Sequence, residues 1–155
     1  MRNMSNLGGL RIVIADDDAD DRLLIEDAFE ECGLGSERDY VQDGVELLQH
    51  LRAEGGWSKR NADDLPAVIL LDLNMPRMDG WTALARLKED PVLRRIPVVV
   101  LTTSEAEKDI LHTYDLGVNS FITKPVTFEG LINVVQTLND YWINIVQLPS
   151  QFEYA

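Results

Sequence analysis

The chain has a single cysteine, Cys32, in 155 residues. One thiol cannot close an internal disulfide, which fits a reducing compartment. Its place on the apolar side of an expected helix marks it as an inert core thiol. Basic residues are also scarce. Fourteen Lys and Arg stand against 27 Asp and Glu, a formal net charge of −13. With no basic cluster and no basic groove lined by aromatics, nonspecific nucleic-acid binding is excluded. No apolar run approaches the ~20 residues needed to span a bilayer. Residues 1–9 carry one Arg and no apolar stretch, so they do not have the form of a signal peptide. A soluble, cytoplasmic protein with no membrane partner is expected. Repeats and low-complexity segments are missing. His50 and His112 fall in different expected helices without paired ligands, so both are expected to be exposed or satisfied within the fold.

What the chain does have is alternation. Apolar residues make up 45% of it, enough for a sizeable core in one domain. We expect a flexible segment over 1–9, a domain over 10–146 and a tail over 147–155. An apolar strand is expected over 10–15. Ile25, Ala28, Phe29 and Cys32 then recur at helical spacing, and Gly33 is a fitting stop. A weak strand over 39–42 precedes a short helix carrying Val45, Leu47, Leu48 and Leu51. A polar loop over 55–65 leads into a fully apolar third strand that ends at Asp72. Trp81, Leu84, Leu87 and Lys88 mark a third helix, with Trp81 on its inner side. A fourth strand over 96–101 and a helix capped by Ser104 and Glu107 follow. A fifth strand over 118–123 runs into Lys124-Pro125, and Thr127 caps a fifth helix with Leu131, Val134, Val135, Leu138 and Trp142 on one side. Five strand–helix units imply an α/β fold: a doubly wound five-stranded parallel sheet, order 2-1-3-4-5, with five helices.

The strand ends carry the chemistry. The first strand ends in Asp16-Asp17, the third in Asp72, the fourth in Thr102 and the fifth in Lys124. In a parallel sheet these ends share one edge, where α/β folds place their ligands. No one of them is specific; their convergence is. Three packed carboxylates repel one another and persist only beside a compensating cation. An open, all-oxygen site suits Mg²⁺, with one member of the acid pair binding directly and the other through water. Lys124 adds a fixed positive charge and Thr102 a hydroxyl donor. Such a site receives a small dianion beside Asp72. A phosphoryl group fits, with Asp72 as the carboxylate nucleophile. Asp18 is expected to do no more than start the first helix, and Asp20-Asp21 to lie on a solvated helix face.

Here the chain resembles a known family. Ile14-Ala15-Asp16-Asp17, the string from Leu71 through Asp72, Asn74, Met75, Pro76 and Met78 to Asp79-Gly80, Val100-Leu101-Thr102-Thr103-Ser104, and Ser120-Phe121-Ile122-Thr123-Lys124-Pro125 are similar to the motifs of bacterial response-regulator receiver domains. The likeness spans about 10–142. It implies that Asp72 takes a phosphoryl group from a sensor histidine kinase. It implies Asp17 and Asp72 as side-chain metal ligands, Asp16 as the acid acting through water, and the Asn74 backbone carbonyl completing the set. Thr102 matches the switch hydroxyl, Phe121 the switch aromatic, and Lys124 the lysine that pairs with phosphate. A cis bond into Pro125 is implied too, and Asn74 and Ser104 fall at positions that tune dephosphorylation. Ser104 on its own reading is a helix cap.

The resemblance also implies a signalling protein rather than an enzyme, with only weak autocatalytic phosphorylation and dephosphorylation. Its alternatives are a phospho-independent receiver-like binding module and a carboxylate-nucleophile phosphatase of the haloacid dehalogenase type. The first would lack part of the acid, Thr and Lys set. The second wants its nucleophile on the first strand. A nucleotide-binding enzyme would place a glycine-rich loop after the first strand, whereas Gly8-Gly9 precedes it. The apolar pattern of the fifth helix continues through Tyr141-Trp142-Ile143 to Leu148. This tail is similar to that of single-domain regulators partnered with phytochromes and hybrid kinases. A homodimer through the fourth helix, fifth strand, fifth helix and tail is therefore expected. A phosphotransfer protein is a further expected partner.

Overall fold

A computed structural model describes residues 11–33, 37–62, 64–103 and 107–140. Within them the chain alternates β1 (Arg11–Ala15), α1 (Ala19–Glu31), β2 (Glu37–Val41), α2 (Gly44–Arg52), β3 (Val68–Leu71), α3 (Gly80–Glu89), β4 (Val98–Thr102), α4 (Glu107–Asp115), β5 (Ser120–Thr123) and α5 (Phe128–Leu138). All five strands are parallel, in the order β2-β1-β3-β4-β5. This is the expected doubly wound fold. Boundaries differ by a few residues: β2 begins earlier and β5 later than the apolar pattern suggests. Short 3-10 turns, Gly55–Trp57 and Leu93–Arg95, lie in the α2–β3 and α3–β4 connections.

Side-chain alternation along each strand divides the core into two layers. Ile12, Ile14, Val68, Leu70, Val99 and Leu101 face α1 and α5, where Ile25, Phe29, Leu131 and Val135 pack on them. Val13, Ala15, Ile69, Leu71, Val98 and Val100 face the opposite layer, built from Leu47, Leu51, Ala83, Leu84 and Leu87 of α2 and α3. Burial of a side chain such as Phe29, which is wholly enclosed, contributes about 2–3 kcal/mol. The central strands β3 and β4 are buried on both faces, which is why their sequences are continuously apolar. Cys32 closes α1 half-buried against the α5 side of the core, with its thiol raised by burial and by Glu31. Gly33 follows with φ 67°, the left-handed conformation that ends helices.

Caps are supplied by short polar side chains. Asp18 accepts from the backbone N–H groups of Asp20 and Asp21, Asp43 from Glu46, Asp79 from Thr82 and Thr127 from Gly130. The expected Ser104 cap, Trp142 and the tail lie outside the described residues. The peptide bond into Pro125 is trans, since no described bond is cis. Trans is the preferred form of an X–Pro bond by about 0.5–1 kcal/mol, and Lys124 keeps its bond from the backbone N–H to the Thr102 carbonyl (2.7 Å) with it.

Candidate phosphoryl-acceptor site

Sheet hydrogen bonding runs one residue past the strands and fixes the site. The Asp16 N–H donates to the Val41 carbonyl (3.0 Å), the Asp72 N–H to the Ala15 carbonyl (3.0 Å) and the Lys124 N–H to the Thr102 carbonyl (2.7 Å). Each polar residue is thus held beside the end of the neighbouring strand. Asp16, Asp72 and Thr102 are almost fully enclosed, at 2%, 7% and 0% exposure, while Asp17 is exposed.

The side chains meet as the strand ends require. Lys124 Nζ donates to Asp16 Oδ2 at 2.8 Å, to Asp21 Oδ2 at 2.9 Å and to Asp72 Oδ2 at 3.2 Å. The Thr102 hydroxyl donates to Asp72 Oδ1 at 3.0 Å, and the Asn74 N–H reaches the same oxygen at 3.1 Å. The Asp18 N–H donates to Asp16 Oδ1 (2.9 Å), and the Arg22 guanidinium holds the Asp16 carbonyl (2.7 Å). One carboxylate oxygen from each of Asp16, Asp17 and Asp72 lies within 4.8 Å of the others. That donor set, all oxygen, anionic and open at Asp17, fits a hard divalent cation such as Mg²⁺.

Charge is unevenly matched here. Burial raises the Asp16 carboxyl above its usual range, and the Asp72 charge adds to this; the bonds from Lys124 and the Asp18 N–H only partly oppose it. Burial alone would lower the Lys124 ammonium. Its bonds to Asp16 and Asp21 and the charges of Asp16 and Asp72 more than offset that, so it is held above the ordinary lysine value.

Backbone packing positions the loop after β3. The Gly80 N–H donates to the Leu73 carbonyl at 3.0 Å. A Cβ at Gly80 would stand 2.3 Å from the Asp72 carbonyl oxygen, so only glycine lets α3 start against the strand end. Arg77 has φ 60°, a conformation that disfavours L side chains by roughly 1–2 kcal/mol. Its guanidinium is held by Asp43 Oδ2, at 2.8 Å from Nε and 2.7 Å from Nη2, and the Gly44 N–H binds the Met78 carbonyl at 2.7 Å.

Every residue singled out from the strand ends is therefore in one place: Asp16, Asp17, Asp72, Thr102 and Lys124. Asn74 is exposed at the site's rim. Phe121 is half-buried on β5 against the α3 side of the core, and its N–H donates to the Tyr114 hydroxyl of α4 at 3.3 Å. Asp18 caps α1, as expected. Asp21 departs from expectation. It is not merely part of a solvated face but a direct partner of Lys124, because the first turn of α1 carries it back over the strand edge. Its spacing from Asp16 and its position in the first helical turn were the only signals in the sequence. Arg77 and Asp43 were also missed, being 34 residues apart. His50 is wholly buried and paired at one nitrogen: Nε2 lies 2.7 Å from Asp39, while Nδ1 has no hydrogen-bond partner among the described residues. Trp81 is half-buried against the core and meets the exposed His112 in a tilted ring contact, centroids 5.0 Å apart.

Comparison with known proteins agrees with this geometry. Residues 12–136 match the response regulator receiver domain family. The response regulator Rcp1 of Synechocystis is 35% identical over 150 residues, covering 97% of this chain and 99% of that protein. The crystal structure of the phosphorylated cyanobacterial phytochrome response regulator RcpA superposes with a TM-score of 0.82 at 41% identity, covering 90% of this chain and 98% of that one. The Mn²⁺-bound form of Rcp1 gives 0.80 at 35% identity, covering 90% and 99%. Fold, strand-end residues and family match converge: the chain belongs to the response-regulator receiver domain family.

Proposed function

We propose that this protein is a phospho-accepting switch of a two-component phosphorelay, with Asp72 as the acceptor. The observation that carries this reading is the meeting of Asp72 with Asp16, Asp17, Thr102 and Lys124 at one sheet edge. A carboxylate oxygen of Asp72 attacks the phosphorus of a kinase phosphohistidine. The new O–P bond forms as the P–N bond breaks, and the electron pair leaves with the imidazole, which takes up a proton. Asp17, Asp72 and the Asn74 carbonyl would hold Mg²⁺, with Asp16 acting through water; when bound, the ion would supply positive charge to neutralise the transferring oxygens. Lys124 and Thr102 bind the oxygens of the acyl phosphate.

Phosphorylation adds charge and strong acceptors at Asp72. Thr102 draws toward them, Phe121 turns inward, and the face of α4, β5 and α5 changes. The bond from the Phe121 backbone N–H to the Tyr114 hydroxyl ties β5 to α4 and supports that coupling. Weak self-catalysed phosphorylation by small donors and slow hydrolysis belong to the same chemistry. The likeness to Rcp1 and RcpA supports a phytochrome or hybrid sensor kinase as donor, with a phosphotransfer protein as a further partner. Leu111 and Tyr114, exposed on α4, support a homodimer through this face. No helix among the described residues is long and apolar enough to cross a membrane, which with the lone cysteine supports a cytoplasmic place of action.

Incubation with Mg²⁺ and acetyl phosphate tests the reading. The intact protein takes up label and Asp72→Asn does not; an unlabelled wild type, or equal labelling of the variant, overturns it. For the dimer, sedimentation of the full chain against a truncation after Asn139 decides. A full-length monomer at high concentration, phosphorylated or not, rejects it.

A further inference from the structure

Lys124 has three N–H donors, and three carboxylates take them. A phosphoryl group on Asp72 needs at least one. The three partners differ in how easily they can be given up. Asp16, with its side chain at 3% exposure, is shielded from bulk solvent, and Asp72 carries the phosphoryl group itself. Asp21 is the exception, with its side chain 34% exposed. When released, its oxygen is rehydrated at once.

Resting on the acceptor reading above, we propose that Asp21 is a positioning residue that competes with the phosphoryl group for the Lys124 ammonium. It holds the lysine over the acid cluster in the unphosphorylated protein and yields it when Asp72 is modified. The competition lowers the affinity of the site for the phosphoryl group and biases the switch toward its unmodified state. Asp20, its neighbour in the first turn of α1, is the natural control. It is exposed, carries the same charge, and neither forms an ion pair with Lys124 nor lines the site.

The test uses the full chain with Mg²⁺ and beryllofluoride, an unreactive mimic of the phosphoryl group, read by calorimetry. Asp21→Asn binds beryllofluoride about threefold to fivefold more tightly than wild type, the range set by loss of one half-exposed ion pair. Asp20→Asn stays within about 1.5-fold, since a screened surface charge acts weakly. Asp21→Glu restores an affinity near the wild-type value. In a Lys124→Met background, Asp21→Asn loses its effect.

Binding by Asp21→Asn that is no tighter than Asp20→Asn, or weaker than wild type, overturns the competition. So does an Asp21→Asn effect that survives in Lys124→Met. A wild type that binds no beryllofluoride, or an Asp72→Asn variant that binds it equally, instead overturns the acceptor reading. The two failures are therefore distinguishable.

Discussion

Two polar clusters occupy opposite edges of the same sheet. At the amino edge, Arg11 of β1 binds Asp39 at 2.6 Å and Glu37 at 2.9 Å of β2, and reaches Asp64 at 3.6 Å. Asp39 also receives His50, while Arg60 donates to the carbonyls of His50, Leu51 and Asp64. At the carboxyl edge, Asp16, Asp17, Asp21 and Asp72 have one ammonium among them. In the first cluster the acids are matched by guanidinium and imidazole donors, although Arg11 Nε and His50 Nδ1 are left without partners among the described residues. Burial would raise the Asp39 carboxyl, but the bonds from His50 and Arg11 bring it below its ordinary range. The second is short of positive charge, and burial leaves Asp16 raised. Both clusters are acidic, partly buried and hydrogen-bonded. Only the deficit of positive charge separates a site that calls for a ligand from one that holds strands together.

The sharpest way to break that comparison is to remove one acid from each edge. Asp72→Asn abolishes phosphoryl labelling and leaves thermal stability unchanged or raised, because it relieves repulsion in the unbalanced cluster. Asp39→Ala does the reverse. It strips Arg11 and His50 of a shared partner, lowers stability by about 2–3 kcal/mol in denaturant melts, and leaves labelling intact. If Asp39→Ala abolishes labelling in a folded protein, the two edges are not independent.

Metal gives a smaller effect on one edge alone. At ten times its dissociation constant, Mg²⁺ stabilises the wild type by about 1.4 kcal/mol. Asp17→Asn loses this rise in melting temperature and Asp39→Asn keeps it.

The smallest effect is in pH, where the edges titrate in opposite senses. Burial lowers the His50 imidazole below its ordinary value, against the Asp39 bond. Its contribution to stability is full above the unfolded value near ~6.5 and is lost as pH falls through the folded one. The Asp16 carboxyl is raised, so its contribution is full below the unfolded value near ~3.9 and is lost as pH rises through the folded one. Melting temperatures measured without divalent cation check this. His50→Gln flattens the acid limb of the profile, and Asp16→Asn flattens the decline above about pH 4. If neither limb changes, the assigned groups do not carry the pH dependence.

Much of this is legible in the sequence. The paired acids, the lone aspartate, the threonine and the lysine each close an apolar run, and a parallel sheet brings such ends together by topology alone. The Lys124 bonds to Asp21 and Asp16 were not legible in the same way. They span 103 and 108 residues. Asp16 sits at a strand end and could be placed, whereas Asp21 sits on a helix, where rotation and tilt decide its direction. The amino-edge cluster was hidden for a similar reason. Arg11, Asp39 and His50 come from three elements, and nothing in their spacing sets the register β1–β2 that pairs Val13 with Asp39.

By itself the sequence determined the strand and helix order, the two-layered core and the edge at which chemistry occurs. Those rest on periodicity and chain order, which are local or topological. Tertiary structure alone decided that Asp21 joins Lys124 and that Arg77 locks onto Asp43. These depend on how a helix or loop is turned against its neighbours, and that turn is fixed only when the whole core packs.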